Sequence, residues 1–168
     1  NGTAILGLGD IGAVSGMPVM EGKAVLFDHL VGVSGVPILI QNHDPKVIID
    51  TVRNISPTFG AIKLEDIKAP ECFEIEDTLD AELDIPVMHD DQHGTAIISA
   101  AALINALELA NKKIEDVKIV VSGAGAAAIS CTKLYLAFGA QIDNIVMLDS
   151  KGVIQKSRDN LTSEKTQF

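Results

Sequence analysis

The sequence predicts an α/β fold with a mainly parallel sheet, in two successive units. Three observations predict it. Short aliphatic runs alternate with longer helix-like stretches along the chain. Several of those runs end in acidic residues. One runs straight into a G-x-G-x-x-A turn that precedes a helical stretch.

In chain order, residues 4–6 form a strand-like run that enters Gly7-Leu8-Gly9-Asp10-Ile11-Gly12, a glycine-rich turn. A helix is expected over 19–31, followed by a second apolar run over 36–40. Asp44-Pro45 reads as a helix start, with Asp as cap and Pro in the first turn, and the helix runs to about Arg53. A short strand over 60–64 leads into Glu65-Asp66. An amphipathic helix covers 71–83, and a strand over 85–88 ends at His89-Asp90-Asp91-Gln92-His93-Gly94. A long buried helix then runs to about Asn111. The charged connection Asn111-Lys112-Lys113 and Glu115-Asp116 places the boundary between units at 112/113, dividing the chain into 1–112 and 113–168. Beyond it come a β run over 117–121, the turn Ser122-Gly123-Ala124-Gly125, a helix over 126–138 ended by Gly139, and a β run over 145–148 closed by Asp149.

Composition narrows the class. Of 168 residues, 47% are apolar and 4% aromatic, with no Trp, so the core is aliphatic. Thirteen basic against 23 acidic residues give a net charge of −10, which disfavours nucleic acid and anionic membranes as partners. No apolar run reaches the roughly 18–20 residues that span a bilayer. The two cysteines, Cys72 and Cys131, fit no C-x-x-C pattern and read as reduced thiols. The chain opens on Asn1 and stops at Phe168 without an evident terminal element. It therefore reads as a piece of a longer protein, and the lack of a signal peptide carries no information.

The chemistry-bearing motifs are few. Gly123-Ala124-Gly125-Ala126-Ala127-Ala128 has the strand-turn-helix context of a dinucleotide site. Gly123 permits the tight turn and Gly125 admits a pyrophosphate to the backbone. Ala128 allows close helix–strand packing, and the helix N-terminus supplies N–H donors. Asp149, closing the next strand, stands where a ribose 2′-hydroxyl is bound. The earlier Gly7–Gly12 turn has no such acid and reads as a structural or substrate-side loop. Glu65-Asp66 and Asp90-Asp91 end two strands and are either solvated loop acids or oxygen ligands for Mg²⁺ or Mn²⁺. His89 and His93 do not share a helical face in this reading, which argues against zinc; His29 and His43 read as a helix-surface and a loop histidine. Lys23, set among aliphatic residues, is either a snorkelling surface lysine or a desolvated base.

Taken together, the strings Ile5-Leu6-Gly7-Leu8-Gly9-Asp10-Ile11-Gly12, Pro18-Val19-Met20-Glu21-Gly22-Lys23, Leu64-Glu65-Asp66-Ile67-Lys68-Ala69-Pro70-Glu71-Cys72-Phe73 and His89-Asp90-Asp91-Gln92-His93-Gly94-Thr95-Ala96 resemble the malic enzyme family, in its bacterial branch. The resemblance runs through essentially the whole chain. It implies a malic-enzyme N-terminal α/β domain over 1–112, followed by the start of a Rossmann-like dinucleotide-binding domain over 113–168. It also implies metal-dependent oxidative decarboxylation of malate to pyruvate and CO₂ with NAD or NADP. In this likeness Lys23 matches the catalytic lysine and Asp90 an acid beside it. Glu65, Asp66 and Asp91 match the ligands of Mg²⁺ or Mn²⁺. Gly123, Ala124, Gly125, Ala126 and Ala127, with Asp149, match the cofactor turn and its ribose acid.

The implied mechanism has malate bound to the metal through its 2-oxygen and C1 carboxylate. Lys23 takes the hydroxyl proton as hydride leaves C2, decarboxylation follows, and a tyrosine upstream of Asn1 protonates enolpyruvate. Asparagines that help bind malate fall beyond Phe168. An arginine found in animal-type members is replaced here by Ala4, so carboxylate recognition must differ; Ala128 stands where Gly is common. The family implies a homodimeric, cytoplasmic parent protein and an inactive isolated piece. Lys151, two residues past Asp149, leaves NAD and NADP both open. Three other readings remain at this level: a nucleotide-binding regulatory module without chemistry, an oxaloacetate decarboxylase without hydride transfer, and a metal-independent amino-acid dehydrogenase.

Overall fold

A computed structural model describes residues 1–159 and 161–168. They form two compact units, Asn1–Met88 and His89–Phe168.

The first unit begins with a tight loop in place of the expected strand over 4–6. Ile5 bridges Gly9 through Ile5 N–H to Gly9 O at 3.0 Å and Gly9 N–H to Ile5 O at 2.8 Å. The glycine-rich turn so close to Ile5 folds the run back on itself before it can pair elsewhere. Gly2 anchors the loop: its carbonyl accepts from Ile11 and Gly12 N–H at 3.1 and 3.2 Å. Helix α1 (Gly12–Val31) then starts seven residues earlier than the sequence pattern predicts and runs through Pro18. Proline removes the donor that would serve the Val14 carbonyl. Val14 is exposed, so water can take its place. Gly32, at φ 66, ends the helix in the left-handed conformation. The returning chain passes close over α1 at Gly35, where a Cβ would meet the Ala24 backbone at 3.1 Å.

Helix α2 (Pro45–Ile55) opens as expected on Asp44, whose side chain accepts from Lys46 N–H at 2.9 Å. It packs on α3 (Glu71–Glu82), burying Ile48, Ile49, Val52, Ile75 and Leu79 in an aliphatic core. Arg53 of α2 donates to Glu82 of α3 at 2.8 and 2.5 Å. Between these helices lies strand β1 (Ile62–Leu64), paired with β2 (Val87–His89), whose last residue opens the second unit.

In the second unit, α4 (Asp90–Leu109) starts at the acids themselves instead of after Gly94. It is not the buried helix expected: Ala96 and Ala100 are buried while Ile97 and Ile98 are exposed. That small-residue stripe packs against α5 (Ala126–Ala137). Beside it runs a three-stranded sheet in the order β3 (Ile119–Ser122), β4 (Ile145–Asp149), β5 (Gly152–Val153). The β3–β4 pair is parallel, with Ile119 opposite Ile145 and Ser122 opposite Leu148, and β5 returns antiparallel. The parallel α/β character expected from the sequence is present here. The charged connection at 112/113 is an exposed loop, and the packing of α4 on α5 crosses it. Both cysteines are buried and neither is in a disulfide, and among the described residues no helix is long and apolar enough to cross a membrane.

Gly2 has φ 72, and a Cβ there would lie 2.3 Å from the Gly12 carbonyl oxygen. Gly9 has φ 73 but open space around it. Gly2→Ala is therefore expected to destabilise the protein by about 1–3 kcal/mol more than Gly9→Ala, since both carry the strained backbone but only the first adds a backbone clash. Thermal unfolding of the two variants checks it; equal losses would contradict the clash.

Candidate functional site

The first unit encloses a cavity of about 490 Å³ whose polar lining includes Asn1, Lys23, Lys63, Glu65 and Asp66. Local geometry explains the grouping. On β1 the side-chain period of two buries Leu64 in the core and turns Lys63 and Glu65 to the other face. On α1, Lys23 and Phe27 are one turn apart and share a face. Lys23 Nζ sits 2.8 Å from Glu65 Oε1, and Lys63 Nζ contacts Oε2 of the same carboxylate. Lys63 Nζ also lies 6.0 Å from the Phe27 ring centre. The Glu65 side chain is only 8% exposed, against 35% for Lys23 and 21% for Lys63.

Asp66 is buried and holds φ 54, an uncommon conformation for a residue with a side chain. Thr3, also buried, fastens that turn. Its N–H donates to Asp66 O at 3.0 Å, and its Oγ1 accepts from Lys68 N–H at 3.0 Å and contacts Asn1 Oδ1 at 2.7 Å. Thr3, four residues before the Gly7–Gly12 turn, thus ties down the backbone of the acid pair. Thr3 and Lys63 were not singled out in the sequence. For Lys63 the legible signal was its spacing of two from Glu65 on a strand.

The second unit carries the other acids at the start of α4. His89 is fully buried, with Nε2 3.1 Å from Asp91 Oδ2. Asp90 folds back over its own helix: a Cβ on Gly94 would lie 2.4 Å from Asp90 Oδ1. Gly94, read in the sequence as a helix breaker, is instead the helical position that leaves room for this carboxylate. Among the described residues no group of three or more His, Cys, Asp or Glu closes into a metal-binding cluster. Glu65 and Asp66 belong to the first unit and Asp91 to the second. The donor chemistry at Glu65-Asp66, two adjacent carboxylates lining one cavity, suits a hard divalent cation.

The glycine turn has the expected form. Ser122 ends β3, Gly123 follows at φ 116, and Gly125 caps α5 with no side-chain hydrogen bond at that terminus. Gly123 N–H donates to Leu148 O at 2.8 Å, which ties the turn to the neighbouring strand. A Cβ on Gly125 would meet nothing within 4 Å, so packing within the chain does not demand glycine there.

Asp149 closes β4 as expected, and its carboxylate is engaged by the backbone of Lys151 and by two side chains the sequence reading passed over, Arg158 and Lys165. Arg158 donates to its two oxygens at 3.0 and 3.1 Å, Lys165 Nζ lies 3.1 Å away, and Lys151 N–H donates at 2.9 Å. These donors, the Arg158 guanidinium foremost, hold the carboxyl well below the usual range.

The description "Malic enzyme, N-terminal domain" matches residues 1–47, and "Malic enzyme, NAD binding domain" matches residues 92–168. The chain is 58% identical over 160 residues to an NADP-dependent malic enzyme of Haemophilus influenzae, covering 95% of this chain and 21% of the relative. It is 55% identical over 156 residues to an NAD-dependent malic enzyme of Geobacillus stearothermophilus, covering 93% and 32%. The crystal structure of an NAD-dependent malic enzyme from Thermotoga maritima superposes with a TM-score of 0.93 at 44% identity, covering 99% of this chain and 44% of that one. The chain thus spans about a fifth to a third of the length of these two curated relatives.

A carboxyl held below its ordinary pKa of about 3.9 stabilises the fold above that value, and the stabilisation is lost as pH falls through and below it. Arg158→Leu removes the largest cause. The variant is expected to be less stable than wild type at pH 7 and to lose less on acidification below about pH 4. Urea unfolding at a series of pH values measures both, and parallel pH profiles would count against the pairing.

Proposed function

The chain belongs to the malic enzyme family, and on that premise we propose that the protein it is part of oxidatively decarboxylates malate to pyruvate and CO₂ while reducing NAD or NADP. The observation that carries the proposal is the cavity in which Lys23 Nζ stands 2.8 Å from Glu65, next to Asp66. A lysine beside a pair of buried acids supplies, in one place, a proton acceptor for a hydroxyl and hard oxygen ligands.

Glu65, Asp66 and Asp91 would hold Mg²⁺ or Mn²⁺. When bound, the cation supplies Lewis-acid polarisation of the substrate's 2-oxygen and takes up charge as CO₂ leaves. The residues of the chain do the rest. Lys23 Nζ accepts the hydroxyl proton as hydride departs from C2 to the nicotinamide. Asp90, beside Asp91 at the head of α4, tunes and orients that lysine. Gly123, Ala124, Gly125, Ala126 and Ala127 present backbone N–H groups and open space to the cofactor's pyrophosphate. Asp149, with Arg158 and Lys165 on it, forms the end of the cofactor site where NAD and NADP differ. The aliphatic cavity wall, with Phe27 among it, limits water around the reacting carbons. As a functional division, 1–112 carries substrate and metal and 113–168 the cofactor. The parent protein is read as a cytoplasmic homodimer.

Initial rates of the full-length protein with malate, Mn²⁺ and each cofactor test the proposal; no cofactor reduction with either would overturn it. Asp91→Ala is expected to abolish Mn²⁺-dependent malate oxidation, and wild-type activity in that variant would remove Asp91 from the metal site. Lys23→Ala should lower kcat by roughly 10²–10⁴-fold, the usual contribution of a proton-transfer group, with a smaller change in KM. An effect confined to KM would reduce Lys23 to positioning.

A further inference from the structure

We propose that Thr3 is a positioning residue for divalent-cation binding at the acid pair. From 63 residues away, its backbone and hydroxyl hold Asp66 in the left-handed conformation that places Glu65 and Asp66 on one cavity. The inference rests on the metal role of those acids proposed above and adds the residue that sets their geometry.

Glu65 and Asp66 follow strand β1 directly. On a continued strand two successive side chains face opposite sides. Asp66 instead takes φ 54, which breaks the alternation right after Glu65, and both residues line one cavity. Such a conformation is disfavoured for a residue with a side chain and persists only where its surroundings over-determine it. Residues 65–68 lie outside every strand and helix, so no ladder supplies that constraint. Thr3 supplies it from both sides of Ile67. Its N–H donates to Asp66 O at 3.0 Å, and its Oγ1 accepts from Lys68 N–H at 3.0 Å. The hydroxyl proton goes to Asn1 Oδ1 at 2.7 Å, which turns a lone pair of Oγ1 toward Lys68. Thr3, Asp66 and Ile67 are each only 5% exposed, so water competes little for these bonds.

The consequence reaches the metal as well as the fold. Ligand oxygens must stand within a few tenths of an ångström of their ideal distance from a cation, and the partners behind them keep them there. Without the Thr3 hydroxyl, Lys68 N–H loses its acceptor. The 66–68 turn then relaxes and carries the Asp66 carboxylate with it.

The test uses the full-length protein, with Mn²⁺ titrated calorimetrically in the absence of malate and nucleotide. Thr3→Val keeps the shape and the backbone N–H but removes the hydroxyl. It should raise the Kd for Mn²⁺ about 10- to 100-fold, the usual effect of removing a partner that orients a metal ligand. Thr3→Ser, which keeps the hydroxyl, should recover most of the affinity. Thr3→Ala leaves room for a water on Lys68 N–H and is the second hydroxyl-free variant should Thr3→Val fail to fold. Ile75→Val is the control. It trims a fully buried core side chain outside the cavity lining, so it should lower thermal stability and leave the Kd for Mn²⁺ as in wild type. Wild-type Mn²⁺ affinity in the hydroxyl-free variants overturns the proposal. So does a Thr3→Ser protein that binds no tighter than Thr3→Val, or an equal loss in Ile75→Val, because Thr3 would then act through stability alone. Failure of both hydroxyl-free variants to fold makes Thr3 structural and overturns it too. The same holds if the wild type binds no Mn²⁺, or if Asp66→Asn binds it as the wild type does. Malate turnover is read separately: its absence alongside the expected Mn²⁺ affinities overturns the malate reading and leaves the role of Thr3 standing.

Discussion

A carboxylate with 8% of its side chain exposed has lost most of its water and needs polar partners in its place. At Glu65 the compensation is two lysines, one from α1 and one from the same strand two residues earlier. Much of the first unit serves that arrangement. The 20-residue helix α1 delivers Lys23, and Phe27 one turn on packs beside Lys63. The N-terminal loop, closed by hydrogen bonds to Gly2 and fastened by Thr3 to Asp66, sets the turn that follows the strand. Gly35 lets the returning chain press on α1 at Ala24. A buried pair of this kind is weak evidence for stability, since desolvation offsets much of the attraction. It is a means of holding charged groups at defined distances where they can act on a ligand.

The second unit solves a different electrostatic problem. Its glycine turn leaves the N-terminus of α5, the positive end of the helix dipole, without a side-chain cap, and a Cβ on Gly125 would meet nothing within 4 Å. At the same end of the strand pair, Asp149 is saturated with donors from Arg158, Lys165 and the Lys151 backbone. A carboxylate so engaged places acid and cations together at the end of β4.

Motifs whose meaning is local were legible in the sequence. The Asp44-Pro45 helix start, the strand-turn-helix at Gly123–Ala128 and the acid closing the next strand all appear where their spacing puts them. Capping, tight turns and alternation act over a few residues. The failures share a different cause. Residues 4–6 have strand composition but lack a strand partner, since Gly9 returns the chain onto Ile5. The helical stretch expected from residue 19 begins at Gly12, because the loop hydrogen bonds to Gly2 organise its first turn. Gly94 passes for a breaker until Asp90 is seen folded over it. α4 reads as a buried helix, yet its buried residues are Gln92, Ala96 and Ala100.

The sequence by itself carried the family and the α/β class, and it marked the acids, the lysine and the glycine turn as candidates. Those follow from long ordered strings and short-range spacing, which need no knowledge of what packs on what. Only the tertiary structure decided that Lys23 and Lys63 meet on one carboxylate, that Thr3 holds the Asp66 turn from 63 residues away, and that Arg158 and Lys165 converge on Asp149. The physical reason is that ion pairing and burial depend on distances in space, set by chain segments that composition and periodicity treat as unrelated.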